Sequence, residues 1–473
     1  MNKMKEIIKY LAAVLIIFGF IFTSCDDELE QLPPEQLSNE LVLSTYDNLV
    51  LATNGIYNLL YDANWYGREF TVIGDLKGGN SKSSPLNTGR FQTEYNWGNN
   101  ASSTSGLWTP AYYLISRANN VINATEGFTQ TGITEAMIGQ LKGEALFLRA
   151  LAYFDLVRMY AQPYTADNGA SLGVPVVLVT ENGQPARNTV AEVYAQIVAD
   201  LTEAEGITGT VNRGQTDNAA MVTKEAIQAL LAKVYLYMGD WQNAADYATK
   251  VIANPKYTLY TADNYLDAWG TDAATEVIFE VYGNATQSSW PGYDEIGYIY
   301  DPEGYGDVCA TNQLLNLFQA GDVRRGLFKT DADHAGFEWP NKYPGKDIIR
   351  VNNIPVLRLA EMYLIRAEAL IKGAAVSGAT ALGDYNAIIT RRGLAAVSSI
   401  GIQTIYDERR RELCFEGNQL WDLSRTGRGL DRDEAEVIIA GDVDIAFPDY
   451  RWAMPIPSYE LSANANMVQN PGY

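Results

Sequence analysis

The sequence predicts a mainly α fold: a helical-repeat scaffold interrupted by long irregular insertions and a few short strands. Three stretches predict it. Residues 143–164, GEALFLRALAYFDLVRMYAQPY, are apolar almost all round when read at about 100° per residue, and Glu144, Asp155, Arg158 and Gln162 share one narrow polar stripe. Such a helix is buried on most of its circumference. Arg149 points away from that stripe, so its guanidinium needs a carboxylate or carbonyl partner inside the protein, a structural role. Residues 360–371, AEMYLIRAEALI, repeat the design, with Glu361, Arg366 and Ala367 standing as Glu144, Arg149 and Ala150 do. Residues 223–255 place Leu231, Ala232, Tyr235, Gly239, Ala244 and Pro255 on the tetratricopeptide pattern. Ala232 and Ala244 let two antiparallel helices approach, and Gly239 turns the chain between them. No single helix pair can bury its own apolar face, so the copies are expected to stack.

The first residues stand outside the fold. Lys3, Lys5 and Lys9 precede an apolar run over 11–22 and then Thr23, Ser24 and Cys25. The run is too short to span a bilayer comfortably and has the shape of a secretory signal. Small residues before a cysteine predict lipoprotein processing, with Cys25 as the lipidated N-terminus; an ordinary signal peptide is the alternative. The boundaries read from the sequence are a signal peptide over 1–24, an acidic, proline-containing tether over 25–38, an N-terminal region over 39–210 and a C-terminal region over 211–473. The tether is too polar to bury a core and is expected to be disordered.

Further along, residues 39–61 carry a helical core face of Leu41, Tyr46, Leu49, Val50 and Ile56. Residues 62–106 lack periodicity and hold Trp65, Tyr66, Arg68, Arg90, Tyr95, Trp97 and Asn100; a loop of that length inside a compact protein is usually functional. Helix returns over 107–122, with Trp108 spaced for the core. Thr189 and Glu192 form a capping box opening the helix of Tyr194, Ile197 and Leu201. Residues 276–282, EVIFEVY, alternate and are β-branched enough to read as a strand. Residues 283–307 are irregular and aromatic again, with Trp290, Tyr293, Tyr298, Tyr300 and Tyr305. Helical blocks over 355–393 and 405–423 follow, and then a proline-punctuated tail that packs across the body.

The formal charge is −22, and residues 1–24 carry three lysines and one glutamate, so the chain from Cys25 onward stands at −24. Such a surface repels nucleic acid and anionic headgroups. Only Cys309 and Cys414 remain beyond Cys25; no spacing argues for a bridge, so they read as two buried thiols, with a disulfide in an exported protein as the alternative. A single histidine, His334, leaves no histidine pair for zinc, and no nucleophile elbow, P-loop or Gly-x-Gly-x-x-Gly occurs. Asp331 and Asp333 begin like a calcium loop, but Lys342 stands where its closing glutamate belongs. Neither a cofactor nor a metal is called for, and no catalytic residue. A glycoside hydrolase stays as a distant alternative, because carboxylates are plentiful and a sequence gives no separations.

Five segments, GEALFLRALAYFDLVRMYAQPY, NTVAEVYAQIVADLTEAE, IPVLRLAEMYLIRAEAL, ERRRELCFEGNQLWDL and MPIPSYEL…QNPGY, together resemble the SusD/RagB family of outer-membrane nutrient-binding lipoproteins, in the family's order. The acidic leader after Cys25 resembles the surface-export signal of lipoproteins in Bacteroidota-type bacteria. The resemblance implies four tetratricopeptide units in a right-handed superhelix and a variable lobe packed on it. It implies a lipid-anchored protein on the exterior of the outer membrane that binds a glycan and delivers it to a SusC-like TonB-dependent β-barrel transporter, with no catalysis. It also implies that the charged run ERRREL serves helix packing and ion pairing. Capture of peptides by the same architecture is the alternative. Aromatic residues in polar Asn- and Gln-containing loops favour sugar, whose ring offers C–H faces to aromatics and hydroxyls to amides and arginine. The ligand site is therefore expected where the insertions 62–106 and 283–307 converge. Trp97 and Trp290 are the first stacking platforms, Trp65, Tyr66 and Tyr293 stand behind them, and Arg90 and Asn100 are the hydroxyl partners.

Overall fold

The structure is a computed structural model; it describes Met4 and residues 42–214, 219–272, 274–283, 294–346, 351–433 and 444–473. The signal and tether segments, Cys25, Trp290 and Tyr293 lie outside the described residues.

Twelve helices carry the description: α1 Tyr46–Tyr57, α2 Glu69–Leu76, α3 Trp108–Thr125, α4 Glu135–Tyr160, α5 Val190–Ile207, α6 Lys224–Met238, α7 Trp241–Ile252, α8 Ile296–Tyr300, α9 Leu359–Ile371, α10 Ala381–Ile389, α11 Ile402–Glu412 and α12 Gln419–Arg425. Sequence neighbours stack: α3 on α4, α4 on α5, α5 on α6, α6 on α7, α7 on α9, and α9 on both α10 and α11. This is the tetratricopeptide-like array the repeated pattern predicts. Its turns use the expected residues. Gly239 ends α6 in the left-handed conformation (φ 75°), and Thr189 and Glu192 exchange both capping bonds at the start of α5.

The organising helix, α4, is more completely buried than its sequence suggests. Every residue from Gly143 to Tyr160 is buried, Glu144, Asp155 and Arg158 of the polar stripe included, while Gln162 just beyond is half-buried. Glu144 accepts from the Tyr57 hydroxyl (2.9 Å), Gln140 (2.9 Å) and Arg213 (2.5 Å). Asp155 holds Arg158 and accepts from the indole of Trp65 (2.7 Å). A buried polar group is tolerable only when it is bonded, and here each member of the stripe is. Arg149 and Arg366 occupy equivalent places and do equivalent work. Arg149 on α4 bonds both oxygens of Asp200 on α5 (2.8 and 2.7 Å), and Arg366 on α9 bonds both oxygens of Asp384 on α10 (2.8 and 2.6 Å). The planar guanidinium matches the carboxylate fork, and each pair pins one helix to the next.

Among the described residues, three two-stranded antiparallel sheets decorate the array. β2 Val277–Val281, the strand expected over 276–282, pairs with β6 Ile354–Arg358. β1 Ser81–Ser83 pairs with β3 Val308–Ala310, and β4 Phe328–Thr330 with β5 Glu338–Pro340. Cys309 and Cys414 are both buried, and no disulfide joins them. None of the described helices is long and apolar enough to cross a membrane.

Around the C-terminal helices lies a buried ionic core. Glu412 accepts from Arg392 (2.8 and 3.0 Å), Arg324 (3.0 Å) and Arg358 (3.2 Å). Arg324 also holds Asp322 and Glu408, while Arg358 holds Glu276 and Glu416. The charged run 408–412 is thus turned inward, apart from Arg410.

Candidate functional site

The two irregular insertions converge. β1 belongs to the first and β3 directly follows the second, and their pairing brings the segments together. Beside that ladder the Ser84 amide donates to Asp307 O (3.0 Å), and Asn87 Nδ2 donates to the same carbonyl (2.9 Å). The Ile296 amide donates to Gly67 O (2.8 Å), and Arg68 forms an ion pair with Asp294. Gly306 permits the close passage. Its φ is 56°, and a Cβ there would meet Leu86 at 2.8 Å and Pro302 at 3.0 Å.

At this junction Arg90 sits over the ring of Tyr305, 3.8 Å from its centroid, and reaches Asp307 at 3.4 Å. Burial pushes the Asp307 carboxyl up, and Arg90 opposes that rise. Tyr305 meets Tyr298 edge-on with centroids 4.8 Å apart, and both rings are half-buried. Phe91, also half-buried, lies beneath the Arg68 guanidinium at 6.0 Å. Two arginines and three partly exposed rings therefore share one face. Guanidinium groups offer fixed donors to hydroxyls, and rings offer apolar faces to C–H surfaces.

Among the expected site residues, Arg90 stands on this face. Three of the aromatic platforms do not, which corrects the expectation that they are exposed for stacking. Trp65 is 0% exposed, donating to Asp155 and stacked on Tyr66 at 5.8 Å. Tyr66 is buried and meets Phe70 edge-on at 5.6 Å. Trp97 is 3% exposed, with its edge contact to Trp452 at 4.8 Å and the buried Lys77 ammonium 4.0 Å above the ring. Burial lowers Lys77 to about 7. These rings anchor the first insertion to the body, and ring area so covered is lost to a ligand. Asn100 is exposed, but in a turn where its Oδ1 accepts from the Ser102 amide (2.9 Å), beside the Ala101–Ser458 backbone bond (2.8 Å). No contact among the described residues joins it to Arg90. Trp290 and Tyr293 fall outside the described residues. The residues that sequence reasoning passed over are Tyr298, Tyr305, Phe91 and Arg68. The available signal was the tyrosine spacing among Gly297, Gly304 and Gly306, which marks rings held on a glycine-shaped loop.

The fold is a helical-repeat scaffold, with an aromatic and guanidinium surface built on its insertions. A family model described as starch-binding associating with outer membrane matches residues 29–236, and the SusD family model matches residues 341–473. The chain belongs to the SusD family. It is similar to SusD-like protein P2 of Formosa agariphila, 27% identical over 97% of this chain and 98% of that protein. It is similar also to the starch-binding protein SusD of Bacteroides thetaiotaomicron, 25% identical over 80% of each. The crystal structure of a SusD superfamily protein from Bacteroides thetaiotaomicron is 32% identical, with a TM-score of 0.82 over 90% of this chain and 100% of that one.

Proposed function

We propose that this chain is a cell-surface lipoprotein that binds a glycan, an oligo- or polysaccharide, and delivers it to a SusC-like TonB-dependent outer-membrane transporter. The observation that carries the site is the Arg90–Tyr305 face at the junction of the two insertions. Similarity to a starch-binding protein, and to a family described as associating with the outer membrane, supports glycan and location. One matching family model and one relative are named for starch binding, which favours capture without catalysis. A sugar ring would lie against Tyr305 and Tyr298 while Arg90 and Arg68 donate to its hydroxyls.

Tyr305→Ala is expected to cost about 1–3 kcal/mol of glycan binding, the apolar area of one ring plus the seat of Arg90, or roughly one to two decades in affinity. Calorimetry measures it, with the melting temperature as the control for folding. Binding equal to the parent's would place the platform elsewhere.

Cys25 is the proposed anchor. A lipoprotein N-terminus carries several acyl chains, enough for stable attachment where one is marginal. Cys25→Ala is expected to move the protein from the membrane pellet to the soluble fraction of cells. A variant that still pelleted through a detergent-sensitive association would contradict lipidation.

A further inference from the structure

A second polar cleft, of about 330 Å³, opens between α11, the segment after α12 and the turn at Gly78. It shares no lining residue with the Arg90–Tyr305 face. Its wall follows from helix geometry. Gln403, Tyr406, Asp407 and Arg410 recur at three- and four-residue spacing, so they form one stripe on α11, while Glu408, Arg409, Arg411 and Glu412 turn into the core. Of the three consecutive arginines, only the middle one lines the cleft.

Arg410 is held in place by Asn80 Oδ1 (2.7 Å) and Gly79 O (2.8 Å). Arg428, across the cleft, is held by Thr426 Oγ1 through its Nε (2.8 Å) and lies 4.1 Å from the centroid of Tyr406. Neither forms an ion pair among the described residues. That sets them apart from the paired core arginines 149, 158, 324, 358, 366, 392, 409, 411 and 425. Burial lowers Arg410 to about 10, and burial lowers Arg428 as well. Gln419 also lines the cleft. Its residue is 6% exposed, yet its amide has no hydrogen-bond partner among the described residues. As a lining residue it offers that amide to a ligand.

Asp407 and Asp431 line the cleft too, but among the described residues neither reaches either guanidinium in an ion pair, and Asp407 accepts from Gln403 (2.7 Å), so the two immobilised groups keep donors for an anion. An open amide beside them calls for a hydroxyl. The volume sits at the small end of the range of ligand pockets, roughly 300–1,000 Å³, which suits one ring rather than a chain. We propose that this cleft is a second binding site, taking the carboxylate-bearing ring of an acidic sugar, a hexuronate. Arg410 and Arg428 face its carboxylate, and Gln419 bonds a ring hydroxyl. Among the described residues the terminal nitrogens of Arg428 bond nothing, so they are the principal donors.

The test is calorimetric titration of the full chain with glucuronate, its methyl ester, glucose and acetate. Glucuronate is expected to bind, and each of the other three to bind about tenfold more weakly or worse, the loss of a charge-assisted bond or of the hydroxyl contacts. Arg428→Gln and Arg410→Gln are each expected to weaken glucuronate about tenfold or more, at an unchanged melting temperature. The comparison of glucuronate with its methyl ester needs no variant and so stands even if a substitution unfolds the protein. Ester or glucose binding equal to glucuronate would overturn the proposal, as would acetate binding as well as the sugar acid. No heat with millimolar glucuronate, or full binding by both folded variants, would overturn it too.

Discussion

Glu412→Gln is expected to lower the unfolding free energy by about 3–5 kcal/mol, because it removes one partner of a buried ionic network while leaving the others in place. Glu412 receives three arginines on its two oxygens. Arg324 would keep Asp322 and Glu408, and Arg358 would keep Glu276 and Glu416. Arg392 is left worst, with Glu276 at 3.2 Å and the carbonyl of Tyr260 at 2.7 Å as its remaining partners. Glutamine keeps the shape and an acceptor, so the loss measured is that of charge. The protonation balance points the same way. Burial alone would raise the Glu412 carboxyl, but Arg392, Arg358 and Arg324 outweigh it and hold it well below the ordinary glutamate value of 4.5. The stability it contributes is therefore present above pH 4.5 and is lost as pH falls toward the lowered folded value. Urea unfolding of parent and variant at neutral pH measures the difference. A midpoint within error of the parent's would mean that the network is not the clamp described.

The second large effect is expected at Arg149. Arg149→Ala strands Asp200 on α5 and Asn119 on α3, at a cost of about 3–5 kcal/mol for a fully buried pair. Burial already raises the Asp200 carboxyl despite Arg149, so without the guanidinium it is raised further. A carboxyl whose folded pKa is raised loses stability as pH climbs from its unfolded value through the folded one. The deficit is therefore expected to grow from acid toward neutral pH, and urea midpoints across that range report it. Arg149→Met combined with Asp200→Leu removes both charges and is expected to recover most of the loss. Ligand affinity should survive in whatever remains folded. Unchanged stability with lost binding would instead make Arg149 a ligand contact.

Much of the scaffold was legible because its signals are local. The capping box at Thr189, the glycine stop at Gly239 and the β-branched run over 277–281 each act within a few residues. The roles of Arg149 and Arg366 were legible for a different reason: a guanidinium on an apolar helix face must find a partner, whichever residue supplies it. Helix α2 was missed because seven of its eight residues are buried, Asp75 included, so it shows no polar face to set a period. Asp75 is satisfied by the Phe415 and Gly417 amides, more than three hundred residues away. The same long reach hid the fate of the aromatics. Trp65 finds its acceptor 90 residues on, at Asp155, and Trp97 finds Trp452. A loop without periodicity says that its rings have no face of their own, but not whether they dock on another element. Arg90 and Tyr305, from opposite ends of two insertions, became a pair only through the β1–β3 ladder.

Glycan capture is tested most directly by titrating the purified protein against matched panels of oligosaccharides and peptides, with no variant involved. The expected result is saturable heat from at least one oligosaccharide and none from the peptides. Binding confined to peptides would contradict the account, leaving the architecture and replacing its cargo.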